Sequence, residues 1–100
     1  MSEQKLRLAH IRLQQADVAR QQGDLPAAID GFTKAIELYK EIAQEDSAAW
    51  PLVADTIETV AATYKAAGEL DKAKEAFVEA ASLRERLVQL ETQRHAAEAE

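Results

Sequence analysis

Few side chains in this sequence could do chemistry, and their spacing limits what they can do. The only histidines are His10 and His95, about a chain's length apart. No Glu-x-x-His pair is present of the kind that builds a carboxylate-bridged di-metal centre in a helix bundle. Glu91 and His95 are four apart and share a helix face, yet two such ligands chelate weakly and read as a solvated tail. With no cysteine there is no disulfide, no zinc–thiolate site and no thiol nucleophile. Ser2, Ser47, Ser82 and the Thr and Tyr hydroxyls have no histidine at a spacing that helical geometry brings alongside. The three glycines are isolated rather than grouped in a phosphate-cradling loop. These residue types point away from catalysis, from a metal and from any cofactor, and leave binding.

Charge narrows the class of partner. Twelve Lys and Arg stand against 18 Asp and Glu, a net −6, without a basic run. A surface that tracks phosphates needs clustered cations, so nucleic acid is disfavoured. The opening residues Met1–Leu6 lack the apolar core of a signal peptide, and no apolar run approaches the ~18 residues of a membrane span. A cytoplasmic setting is the expectation.

The elements that must position any binding residues are helices. Of the 47% of residues that are apolar, 21 are Ala, whereas Gly (3) and Pro (2) are too scarce for a turn-rich β-protein. Gly23 and Gly68 each close a helical run, since glycine just past a helix end can turn left-handed and satisfy the last carbonyls. Asp24 can cap the helix that follows, and Pro26 and Pro51 suit first turns. A further break falls at Glu45-Asp46-Ser47. The pattern predicts helices at about 3–22, 25–45, 50–67 and 70–95, an all-α chain forming one domain over residues 1–100.

Sliding the sequence over itself by 45 positions superposes Ala9 on Ala54, Ala16 on Ala61, Gly23 on Gly68 and Leu25 on Leu70. It also superposes Ala28 on Ala73, Phe32 on Phe77, Ala35 on Ala80 and Leu38 on Leu83. Small and apolar residues at helical spacing are those that pack a hairpin. Two copies of one helix–turn–helix unit follow, about 3–45 and 48–95. Gly31, inside the second helix, can be read as a dent for a partner helix, as close packing within the domain, or as simple tolerance of a glycine there. Trp50 is expected to cap the corner between hairpins.

At these residues the chain resembles the tetratricopeptide repeat family. Val60-Ala61-Ala62-Thr63-Tyr64, then Gly68, Leu70, Ala73, Phe77, Ala80 and Leu83, fall at that family's signature spacing. Ala16, Gly23, Leu25, Ala28, Phe32, Ala35 and Leu38 do so in the first copy. The 45-residue spacing, with Pro51 opening a first helix and Ser82–Leu87 prolonging a second, is closer to the longer repeats of kinesin light chains. Arg12, Gln15 and Ala19 depart from the pattern, standing where the second copy has Ile57, Val60 and Tyr64. The resemblance implies two long hairpins stacked as a short array, or closed into a four-helix bundle. It also implies an inner face that holds an extended or helical peptide. Carried over, that face comprises His10, Leu13, Asp17, Arg20 and Gln21 with Asp55, Glu58, Ala62, Lys65 and Ala66. Leu13 and Asp17 stand where chaperone-binding members carry Lys and Asn, so the carboxylate clamp of those members is missing.

The leading expectation is a non-catalytic protein–protein interaction module for a protein or peptide carrying both signs of charge. The alternative is self-assembly. Ala76, Ala80, Leu83, Leu87, Leu90, Arg94 and Ala97 form a heptad seam on a helix that overhangs its partner. A homodimer would use Leu83, Leu87 and Leu90. A third reading is a fragment of a longer array, or an engineered scaffold without a ligand.

Overall fold

The computed structural model describes the backbone of residues 2–99 and the side chains of residues 3–94. It contains α1 (Ser2–Gln21), α2 (Leu25–Glu45), α3 (Trp50–Ala66) and α4 (Leu70–Ala99), with a 3-10 turn at Ser47–Ala49 between α2 and α3. No strand occurs among the described residues. The 3-10 turn is the one element that the helical pattern misses. Asp46 builds it: its amide donates back to the Ile42 carbonyl at 2.8 Å, and its carboxylate accepts from the Ala48 amide at 3.1 Å.

Both hairpin turns have the same construction. Gly23 and Gly68 adopt φ +83° and +79°. Their amides donate to Arg20 and Lys65 at 3.0 Å, and the next amides, of Asp24 and Glu69, donate to Ala19 and Tyr64 at 2.9 Å. Carbonyls in the last turns of α1 and α3 are thereby satisfied. Asp24 also caps α2, its carboxylate accepting from the Ala27 amide at 3.3 Å. Every one of these bonds recurs 45 positions on, except the Asp24 side-chain cap.

The helices lie in chain order as an open row, α1 against α2, α2 against α3 and α3 against α4, within 52 × 33 × 16 Å. A closed four-helix bundle would bring α1 against α4. The structure does not, so of the two expected architectures the stacked hairpin array is the correct one. Alanine permits this spacing. Ala9, Ala16, Ala28 and Ala35 in the first hairpin, and Ala54, Ala61, Ala73 and Ala80 in the second, are all buried. Phe32 and Val53 fill the space between hairpins, and Tyr39 lies on α2 against α1, all three fully buried. Thr56 and Thr63 are buried in α3, and their hydroxyls donate to the Leu52 and Thr59 carbonyls at 2.8 Å.

At Gly31 the backbones of α1 and α2 approach closely. A Cβ placed on Gly31 would lie 2.8 Å from the Ala16 Cβ and 3.3 Å from its Cα. Close packing inside the domain therefore accounts for this glycine. The equivalent pair in the second hairpin, Ala61 and Ala76, has a methyl on each side. Gly31→Ala gains about 1 kcal/mol of helix propensity but forces α1 and α2 apart, an overpacking cost of about 1–3 kcal/mol. A lower denaturation midpoint is expected for Gly31→Ala. Recovery is expected in Gly31→Ala with Ala16→Gly, beyond what Ala16→Gly alone would allow, as read from a double-mutant cycle.

Candidate binding surface

The residues assigned to an inner face fall into two clusters, one on each hairpin. In the first, the hydroxyl of fully buried Tyr39 lies 2.7 Å from the His10 Nδ1, and the rings meet edge to face at 5.7 Å. Leu13 is half-buried against the core. Asp17 and Arg20, three apart on α1, form an ion pair at 2.8 Å, and Gln21 is exposed. In the second cluster, the Arg84 guanidinium of α4 donates to the carboxylates of both Asp55 and Glu58 on α3. Ala62, Lys65 and Ala66 continue along α3, exposed.

The two clusters are one site used twice. Adding 45 to His10 and Tyr39 gives Asp55 and Arg84, so each hairpin is stapled at the same place. The first staple is an imidazole–phenol bond and the second an ion pair. Arg84 is the residue that sequence reasoning missed. Its signal was the antiparallel hairpin about Gly68, which sets the middle of α4 opposite the start of α3. Arg84, rather than Arg20 or Lys65 of the same face, is the cation that meets Asp55 and Glu58. Lys65 is exposed, and Arg20 is held by Asp17 within its own helix.

Electrostatics follow from these contacts. Hydrogen bonding to Glu58 first, and to Asp55 next, holds the Arg84 guanidinium above its ordinary pKa. Burial raises the Tyr39 phenol. Among the described residues no group of three or more His, Asp or Glu side chains could hold a metal ion, and no buried side-chain nitrogen or oxygen lacks a partner. His95 and Ala97 lie outside the residues whose side chains are described. No helix among the described residues is long and apolar enough to cross a membrane.

Two shallow clefts lie away from these clusters. One, of about 450 Å³, runs over α3 between α2 and α4, its walls including Ile36, Lys40, Val60, Tyr64 and Glu79. Lys40 and Glu79 approach to 3.8 Å across it. The other, of about 250 Å³, is formed by Trp50 with Leu83, Arg86, Leu87 and Leu90. Here the expected overhang is plain, for α4 has 30 residues and α3 has 17. Burial falls along the seam, from Ala80 at 1% exposed, through half-buried Leu83 and Leu87, to Leu90 at 53%. Trp50 covers the corner, packing on the core and shielding Leu83 and Leu87.

Comparison of the chain with protein-family models, with curated proteins and with solved structures returned no match.

Removing the Tyr39 hydroxyl isolates its contribution. Tyr39→Phe should cost about 0.5–1.5 kcal/mol at neutral pH, the net value of one hydrogen bond. Because burial raises the folded-state pKa, this phenol's contribution is complete below pH 10, where the unfolded chain's tyrosine is also protonated. It declines as pH rises above that value, since the unfolded chain ionises first. Urea midpoints between pH 8 and 11 should fall more steeply for wild type than for Tyr39→Phe.

Proposed function

We propose that the chain is a non-catalytic, tetratricopeptide-like interaction module that takes an extended or helical peptide on the face formed by α1 and α3, in a cytoplasmic setting. The observation that supports this reading is the state of the charges on that face. Asp17 and Arg20 remain about 45% exposed within their pair, and Arg84, Asp55 and Glu58 are 40–63% exposed in theirs. Exposed ion pairs contribute about 0–1 kcal/mol, so a ligand can exchange them at little cost. A cationic side chain would share Asp55 and Glu58 with Arg84, an anionic one would meet Arg20 or Lys65, and Ala62 leaves room for a backbone between them. Fixed charges of both signs select orientation and partner more than they supply affinity.

Peptides selected from a displayed library against the wild-type chain should carry both signs of charge. Changing Asp17, Arg20, Glu58 and Lys65 together to Ala should abolish their capture at moderate salt while leaving helicity unchanged. Capture that persists in this variant places the binding surface elsewhere.

Self-association through Leu83, Leu87 and Leu90 is the second reading, favoured by the apolar cleft beside Trp50. Fully burying one Leu is worth about 1.5–3 kcal/mol, and Leu90 is more than half exposed. Under this reading, Leu87→Glu with Leu90→Glu converts a dimer to a monomer in sedimentation. Under the peptide-binding reading the same double variant keeps its peptide affinity.

A further inference from the structure

The internal repeat allows burial to be compared between equivalent positions. Val53, Thr56 and Thr63 of α3 are 0%, 4% and 1% exposed; their equivalents on α1, Leu8, Ile11 and Val18, are 40%, 47% and 51% exposed. Phe32 and Ala43 of α2 are 0% and 3% exposed, whereas Phe77 and Val88 of α4 are 42% and 61%. The cause is the open row, in which α2 and α3 have a helix on each side while α1 and α4 have one. The outer face of α1 is thus the counterpart of the α3 face that packs on α2. The outer face of α4 is the counterpart of the α2 face that receives α3. The two ends are the two halves of an interface the chain already makes once.

We propose that the chain binds a second copy of itself head to tail, with α1 of one copy seated on α4 of the next as α3 sits on α2. The charges carry the choice of occupant. Across the α2–α4 cleft, Lys40 meets Glu79. Moved on by one repeat, these positions become Glu85 on α4 of the first copy and Lys34 on α2 of the second. Both signs are reversed, so attraction is kept. Arg12, equivalent to Ile57 in the wall of that cleft, comes to the same Glu85. Lys74, equivalent to Ile29, faces the position of Asp24, because Ile29 and Glu69 border one cleft in the internal interface. Arg12 and Gln15 make this contact more polar than the internal one, so it is reversible. Being heterologous, it leaves one α1 face and one α4 face free after each addition, so growth continues past a dimer until a ring closes, or without limit where none does.

Sedimentation across a concentration series of the 100-residue chain should show mass rising past a dimer. A head variant, Leu8→Glu with Val18→Glu, and a tail variant, Phe77→Glu with Ala81→Glu, should each stay monomeric with unchanged helicity. Mixed, they should give a 1:1 dimer and nothing larger, since one retains an intact tail and the other an intact head. Glu85→Lys should weaken association at least tenfold, and Lys34→Glu in the same chain should recover part of that loss, since Arg12 and Asp30 then each face a like charge. A wild-type chain that stays monomeric to about 1 mM, the weak limit of specific association, overturns the proposal. So do single-face variants that still dimerise, which is the outcome of a symmetric contact through Leu87 and Leu90.

Discussion

The contact between Ala16 and the bare Cα of Gly31 sets the geometry of the first hairpin, and much else depends on it. With only the Ala16 methyl between them, α1 and α2 approach closely, and the Tyr39 hydroxyl reaches His10. Phe32 then presents a large, fully buried side chain toward the second hairpin. Where Ala61 and Ala76 replace the Ala–Gly pair, the staple is Arg84, whose longer side chain spans from α4 to two carboxylates.

A row of helices buries less than a bundle of the same length. Each of the four contributes one or two faces, and the chain concentrates its core on α2 and α3. Those two helices hold most of the large buried side chains, whereas α1 supplies mainly Ala9 and Ala16 and α4 mainly Ala73 and Ala80. Stability in such an array is the sum of hairpin terms and a single joint between hairpins. The joint gathers the larger apolar side chains, because Phe32, Ile36, Val53, Ile57 and Val60 all belong to the helices that meet there.

Local chemistry made the helices, turns and repeat legible in the sequence. Gly23 and Gly68, Asp24 and the two prolines act within a few residues of themselves, so their effects needed no knowledge of the fold. Gly31 was ambiguous because close approach within the chain and close approach by a partner ask for the same residue. Arg84 was missed because its partners lie 26 and 29 positions away, across a hairpin whose register had first to be known. Lys40 and Glu85, and Lys34 and Glu79, carry opposite signs at equivalent positions of the two copies. Only the ion pair of Lys40 with Glu79 shows that a reversal at both ends is equivalent to none. The inner-face residues were carried over from a family resemblance. What the structure adds is that they fall into two stapled clusters, one on each hairpin.

The position of Trp50 makes the molecule optically asymmetric. It is the single tryptophan of the chain, placed at the start of α3 against the overhang of α4, while α1 contains no aromatic ring other than that of His10. Indole emission will therefore follow hydration at the joint and along the far end of α4, and will be almost blind to α1. The tyrosines divide the remaining signal, Tyr39 reporting on the seat of α1 and Tyr64 on the second turn, where the Lys72 ammonium stands 5.8 Å from its ring centre. Fraying of the first helix and opening of the joint would thus appear at different wavelengths, without any label.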